Sequence, residues 1–442
     1  MFVQKYAVSA ISLACAMSVS AADVSEMYSV ALKANPTIAA AVSDLESARQ
    51  KTASVHAKAW TPEFSLNAVS GQQKYESAAG KSDKAINTNK VTARVTQLIY
   101  DFGKSDALVE ESRMVEQQAA ARLRDAQNET LFGALNAHWG LERSKVAEFY
   151  ASRAEASVKQ QAELENAMVE LGKGYESTVL QAKVQLSSAT TRLRRAQGAS
   201  LVSRARAETM FGNIAAVPAD ELLRAKKALL PESLDIALAT AQKNNPKIQL
   251  GEFRTESLRA RAKLTSADEY APKLDVYAEQ SRRSNVDSIE RGPSYGDQKI
   301  MFQLQYNLNL GMGGRKAVNA ADAAARASYE QELQTQRQVV EAVTVAWRNL
   351  QTSRYNRETL ANQVRIAAKY FEMASAERAV GRRTLVELLN AEIGLVNSMA
   401  DLADTEGELA VAEMSLLNVM GTLNLDALEP VQVRAALPRV IR

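Results

Sequence analysis

Two different periods of apolar residues divide the chain. Residues 300–310, IMFQLQYNLNL, place Phe302, Leu304, Tyr306, Leu308 and Leu310 at every second position, with Gln303, Gln305, Asn307 and Asn309 between them. A period of two puts each set on its own face of a strand. Leu274, Val276 and Ala278 alternate in the same way with Asp275, Tyr277 and Glu279. Earlier in the chain, Phe64, Leu66 and Ala68 alternate with Ser65 and Asn67, and Val91, Ala93 and Val95 with Thr92, Arg94 and Thr96. Four strands are predicted, in two pairs, with polar loops at 76–89 and 284–298. Elsewhere the apolar residues recur at steps of three and four. A helical pattern covers roughly 23–59. Two much longer ones, Gly103 to Leu171 and Arg315 to Val380, contain no proline, and either would extend about 100 Å as a helix. Beyond the second, Leu385, Leu389, Ile393, Val396 and Met399 continue as a coiled-coil seam.

The same order of elements occurs twice. Asn35-Pro36 matches Asn245-Pro246 at an offset of 210, and Pro62 matches Pro272 at the same offset. Gly103-Lys104 matches Gly314-Arg315 at 211, and Trp139 matches Trp347 at 208. Gly172 with the following VLQA matches Gly381 with LLNA at 209, and Phe211-Gly212 matches Met420-Gly421 at 209. Ordered matches at nearly one offset define a duplication. The expected organisation is a first repeat at 23–213, a linker at 214–230, a second repeat at 231–422 and a tail at 423–442. Residues 1–22 read as a secretory signal peptide: Lys5, an apolar run from Ala7 to Val19, then Ser20-Ala21-Ala22. Cys15 as a lipidated cysteine is the weaker alternative, because Ser12 stands where a lipobox wants Leu.

The alternating strands admit a bland reading, a half-buried sheet on a soluble core. The helices that would have to cover it are strongly polar, however, and strands of about ten residues with polar loops suit an outer-membrane barrel. Four strands cannot close a barrel alone, and open edges are not tolerated in lipid. Two copies would supply 8 strands and three would supply 12. A long soluble coiled coil, such as a periplasmic adaptor hairpin, would lack the strands and the duplication.

Composition removes other classes. The formal charge of +3, from 54 basic and 51 acidic residues, gives no field for bulk nucleic-acid binding. With one cysteine, a disulfide framework is excluded. No nucleophile–base grouping stands out, no metal or cofactor site is expected, and an enzyme is not the expectation. His56 and His138 have no ligand-spaced partners and read as structural. The glycine-rich 311–315 lacks the Lys-Ser/Thr of a phosphate loop and reads as a bend from strand into helix. Trp60 reads either as an anchor at a membrane interface or as a packing residue.

Taken together, the Asn-Pro pairs, QLIYDFGK at 97–104, NLNLGMGGR at 307–315, LGKGYESTVLQAK at 171–183, VGRRTLVELLNAE at 380–392 and VMGTL at 419–423 resemble the TolC-like outer membrane efflux proteins. The resemblance spans about 23–422 and rests on order, spacing and duplication. It implies a mainly α chain whose four strands join a trimeric, 12-stranded barrel in the outer membrane, above a coiled-coil α-barrel crossing the periplasm. The linker and tail would form an equatorial belt. The implied function is a passive exit duct for secreted protein or small molecules, serving a periplasmic adaptor and an inner-membrane transporter of the ABC or RND type. A structural or adhesive coiled-coil protein is the alternative.

The resemblance also implies site residues. The turns near Gly172 and Gly381 would form the periplasmic entrance and dock the adaptor. Glu387 matches an acidic residue that narrows the pore. Asn390 stands where a second acidic residue is expected, so the doubly acidic pattern is broken. Arg383 matches a basic residue that latches the closed entrance, but its acidic counterpart falls on Thr178, with Glu176 nearby.

Overall fold

The computed structural model describes residues 24–74, 85–212, 221–284, 294–307 and 312–432. Helix α1 (Val24–Ala34) is parted from α2 (Pro36–Trp60) by Asn35 alone, and α5 (Leu234–Asn244) from α6 (Pro246–Tyr270) by Asn245. A residue before proline is forced out of the helical region. Both asparagines are accordingly extended and cap the next helix, Asn35 Oδ1 accepting from Thr37 N at 2.9 Å and Asn245 Oδ1 from Lys247 N at 2.8 Å. The single helical pattern read over 23–59 is therefore two helices.

Each helix pair leads into two strands and a long hairpin. The first half continues with β1 (Glu63–Lys74), β2 (Ala85–Tyr100), α3 (Lys104–Glu170) and α4 (Glu176–Phe211). After β3 (Glu221–Ala225), the second half repeats the order with β4 (Lys273–Ser284), β5 (Tyr295–Gln305), α7 (Gly313–Ala379) and α8 (Leu385–Met420), and closes with β6 (Leu428–Gln432). Helices α3 and α7 have 67 residues each, and α4 and α8 have 36 each. At 1.5 Å per residue the longer pair spans about 100 Å. Helix α3 packs on α2 and α6 towards the sheet, and on α4 and α8 towards the far end; α7 packs on α6 and α8 in the same sense. The helices thus form one layer with two through-running members.

The sheet is antiparallel, in the order β1-β2-β4-β5. Register makes whole rows alike. Phe64, Val95, Ala278 and Ile300 lie side by side across all four strands, and the next row, on the opposite face, is Ser65, Arg94, Glu279 and Lys299. In the polar row Arg94 Nε donates to Glu279 at 2.8 Å, Lys299 pairs with the same carboxylate at 3.0 Å, and the Arg94 guanidinium lies 4.4 Å from the centre of the Tyr277 ring. Among the described residues nothing covers the apolar face: Ile300 is 77% exposed, Phe302 75% and Leu304 67%.

Two details differ from the sequence reading. Strand β5 ends at Gln305, whose partner Lys273 is the first residue of β4; Pro272 precedes it and has no N–H to extend the ladder. Leu308 and Leu310 lie outside the described residues. The strands also run further than the alternation shows: β1 reaches Lys74, at the edge of the first expected loop, and β2 and β5 begin inside the expected loops, at Ala85 and Tyr295. There polar residues occur on both faces, as where Ser70 Oγ donates to Asn89 Oδ1 at 2.7 Å, so no alternation marks it as strand.

At the strand-to-helix bend, left-handed backbone falls on Phe102 and Gly103, and in the second half on Met312. Asp101 holds the first bend by accepting from Ser105 N at 2.8 Å and Ser105 Oγ at 2.5 Å. Midway along the helices, β3 and β6 pair into a small belt. Its Leu222, Leu223 and Leu428 are buried in the main core with Trp139, Val343, Leu350, Met414 and Leu417. Trp139 Nε1 donates to Leu223 O at 2.8 Å. Arg224 reaches both Glu413 oxygens, at 2.7 and 3.0 Å, and Glu406 beside it pairs with Arg357 at 2.7 Å. His138 is buried, with Nδ1 3.0 Å from the Tyr28 hydroxyl. Residues 1–23, which include the expected signal peptide and Cys15, lie outside the described residues, as do 213–220 and 433–442. Among the described residues no helix is long and apolar enough to cross a membrane.

Gly421, just past α8, has φ +75°, and a Cβ there would sit 2.5 Å from Asn244 O and 2.8 Å from Asn245 Cα. Gly381 shares the φ of +75° but has nothing within 4 Å. Alanine at Gly381 should cost only the left-handed penalty, about 1–2 kcal/mol. Gly421→Ala must also displace the Asn-Pro backbone, for about 1–3 kcal/mol more. Thermal unfolding followed by circular dichroism should rank them in that order.

Candidate functional site: the helix tips

The far end of the layer consists of two short turns between very long helices. Both long helices stop in the same way. Gly172 N donates to Val169 O at 2.9 Å and Lys173 N to Met168 O at 2.9 Å; Gly381 N donates to Arg378 O at 3.0 Å and Arg382 N to Glu377 O at 2.9 Å. This pair of reversed bonds, with a left-handed glycine, satisfies the last carbonyls of a helix. Positive φ, +70° at Gly172 and +75° at Gly381, explains why glycine stands at both positions. Around the turns Leu171, Tyr175 and Val380 are exposed, as are Lys173, Arg378 and Arg382.

The helices that leave the turns start differently. Helix α8 opens on a capping box: Glu387 N donates to Thr384 Oγ1 at 3.3 Å, and Thr384 N donates back to Glu387 Oε2 at 2.8 Å. The Thr384 hydroxyl adds a second donor to that oxygen at 2.9 Å. These bonds, from the Thr384 backbone first, hold the Glu387 carboxyl below its ordinary range, with a smaller contribution from Arg383. In α4 the equivalent positions are Tyr175 and Thr178. Tyr175 makes no side-chain cap, and Thr178 Oγ1 donates to Tyr175 O at 2.7 Å. The Thr-x-x-Glu signature of a capping box is plain in the sequence at 384–387, yet it escapes a reading of Glu387 as a pore residue alone.

Arg383 is tied to its own hairpin. Its Nη1 donates to the Tyr370 hydroxyl at 2.8 Å and its Nε to Glu377 Oε2 at 2.8 Å, with the guanidinium 5.3 Å from the Tyr370 ring centre. The Tyr370 hydrogen bond, then the Glu377 charge, raise its pKa further. Within the chain neither Thr178 nor Glu176 is bonded to it. Asn390 lies exposed on α8, one turn beyond Glu387. The structure therefore brings Glu387 and Arg383 to one tip, with Asn390 just above and Gly172 on the other tip. The partners Glu377 and Tyr370 went unread because they lie on the far side of the turn.

A sequence model of the family described as "Outer membrane efflux protein" matches residues 27–213 and again 237–422. The chain is 24% identical over 349 residues to the outer membrane efflux protein BepC of Brucella suis biovar 1, covering 77% of this chain and 74% of that protein. It is 24% identical over 428 residues to the outer membrane protein TolC of Escherichia coli K12, covering 90% and 82%. Its fold is similar to that of the outer-membrane channel OprN, with a TM-score of 0.76, 18% identity and 90% of each chain covered.

Because the folded Glu387 pKa is depressed, its stabilisation of the cap is present above the unfolded value, about 4.3, and is lost as pH falls through the folded value. Amide hydrogen exchange in the first turn of α8, corrected for intrinsic rate, should accelerate on acidification below about pH 4. Glu387→Gln should flatten that dependence, whereas the first turn of α4, whose acid Glu176 belongs to no capping box, should show a weaker one.

Proposed function

The chain belongs to the outer membrane efflux protein family, and from that premise we propose that three copies form a continuous exit duct. In this reading each copy gives four strands to a 12-stranded barrel in the outer membrane. The helix layers close into a hollow cylinder across the periplasm. The repeats at 23–213 and 231–422 act as pseudo-equivalent staves, and the linker 214–230 and tail 423–442 build the belt outside it. Transport is passive, driven by an inner-membrane transporter of the ABC or RND type through a periplasmic adaptor.

The sheet carries this reading. Among the described residues nothing covers its apolar face, and β1 and β5 each have a free edge. In lipid every backbone polar group needs a partner, so the edges must be closed by further copies. Exposed Trp60, Tyr100, Phe102, Tyr270 and Tyr306 cluster where sheet meets helices, as an aromatic girdle would. The helices agree. Helix α8 is flanked by α7 and α3, whereas among the described residues its counterpart α4 has α3 as its one long neighbour, with α1 touching it at one end. Its outer flank bears exposed Leu180, Val184 and Leu201, and the free flank of α7 bears exposed Tyr355, Ile366 and Met373. Packing α4 on α7 of the next copy covers both stripes.

At the tips, Leu171, Tyr175 and Val380 are the apolar contacts offered to the adaptor around Gly172 and Gly381. Glu387 lines the entrance as one ring of three carboxylates. One oxygen stays on the Thr384 cap while the other faces the pore, and Asn390 forms a neutral ring above. Arg383 acts as a latch through its own Glu377 and Tyr370 and so stiffens each hairpin.

Detergent-purified protein should be trimeric, conduct in planar bilayers and show a rod about 100 Å long. A stable monomer in water without detergent would sink the barrel. Leu304→Arg should impair insertion, by about 2–4 kcal/mol near mid-bilayer, while Gln305→Arg on the opposite face inserts almost normally. Equal damage from both would mean the faces are misassigned.

At the entrance, Glu387→Gln should lower cation preference and weaken block by multivalent cations from the periplasmic side. Asn390→Asp should do the opposite. Identical selectivity in both variants and the natural protein would remove Glu387 from the pore.

A further inference from the structure

The two repeats part company in charge. Helices α4 and α8 are both 36 residues long and begin at Glu176 and Leu385. From Ser177 to Ala207, α4 contains no acid but carries Lys183, Arg192, Arg194, Arg195, Arg204 and Arg206. Helix α8 contains seven acids and no Lys or Arg. At four equivalent positions the sign is reversed: Lys183 against Glu392, Arg192 against Asp401, Arg195 against Asp404, and Arg204 against Glu413. An ordinary solvated helix face mixes both signs, as α3 does.

Three of these positions can be assigned to a face of the layer. Glu406 and Glu413 of α8 turn to the belt, where Arg224 meets them. Ser398 marks the flank towards α7, accepting from Gln363 at 3.1 Å, and Gly407 marks the flank towards α3, against Arg143. At about 100° per residue, Asp401 and Asp404 fall roughly 130–170° round the helix from the belt contacts. They are exposed on the side of the layer away from the belt. Asp404 leans to Arg143 of α3, with Nε at 3.0 Å. Asp401 makes no ion pair among the described residues, and desolvation by the neighbouring helix, then the adjacent Asp404, push its carboxyl up. By equivalence Arg192 and Arg195 occupy the same face of α4. Both are exposed, and neither makes an ion pair among the described residues.

We propose that the duct is lined at this height by an alternating ring, Arg192 and Arg195 from each α4 and Asp401 and Asp404 from each α8, which makes this level a charge-alternating stretch without a preference of its own. The inference rests on the trimeric reading above. With the belt outside, the opposite face lines the bore, and around the axis α4 and α8 alternate six times. Rings of one sign concentrate counter-ions and exclude co-ions. Alternating signs at one height cancel across the bore, so ions and cargo of either sign, or of both, pass this level. The preference of the whole duct is then left to the entrance.

The test is the reversal potential in planar bilayers under a potassium chloride gradient, at low ionic strength so that screening does not hide the ring. Native mass spectrometry in detergent reports the oligomer. Arg192→Glu with Arg195→Glu should move the reversal potential towards cation permeation. Asp401→Lys should move it towards anion permeation, and combining the three substitutions should bring it back towards the natural value. Conducting trimers with unchanged reversal potentials would overturn the proposal, because the charges would then face the outside. Variants that fall to monomers while the natural protein stays trimeric would also overturn it, placing the residues between copies. If the natural protein itself neither assembles nor conducts, the trimeric duct fails, and this ring with it.

Discussion

A strand edge in lipid has no solvent to satisfy it. Each unpaired N–H or C=O left in hydrocarbon costs several kcal/mol, and among the described residues the sheet leaves two edges unpaired, on β1 and β5. Most of the architecture answers that constraint. The apolar row of Phe64, Val95, Ala278 and Ile300 faces one way, and the Arg94–Glu279–Lys299 row faces the other. In the proposed duct such a sheet serves as one segment of a closed wall. Closure by rotation requires a head-to-tail contact between copies. The bare flanks of α4 and α7 present that kind of contact below the sheet, with the same handed order of elements.

The helices impose the complementary requirement. A layer one helix thick has no interior of its own, and α3 and α7 bury few large side chains near the tips. The belt supplies what the layer lacks. It gathers Trp139, Leu222, Leu223, Met414 and Leu417 into the main core and ties β3 to α8 through a largely buried, bidentate Arg224–Glu413 pair. Such pairs specify geometry more than they add stability. The belt also breaks the symmetry of the layer and thereby distinguishes its two faces.

What was legible in the sequence followed from period. Phe302 and Leu304 declared their face because every second residue was polar, and the 67-residue helices declared themselves by lacking proline. The features that escaped depend on distant partners or on local capping. The end of β5 is set by Pro272 on another strand. The Tyr28–His138 contact joins residues 110 apart in sequence. Arg383 finds Glu377 and Tyr370 only because the glycine turn brings α7 back beside it. By contrast, the Thr384–Glu387 box and the opposed charges of α4 and α8 are visible once the repeats are aligned residue by residue.

The equal lengths of α3 and α7 restrict how such a chain can evolve. One inserted residue advances a helix by about 1.5 Å and turns everything beyond it by about 100°. It would lift one tip out of plane with the other and rotate its seam off both neighbours. Insertions and deletions in the long helices are therefore admissible only in blocks that restore the turn, near multiples of 7 or 11 residues, and only when matched in the other repeat. Loops at the outer end of the sheet carry no such coupling. Length variation among homologues should accumulate there and in the belt, leaving the long helices fixed in length while their surface residues drift.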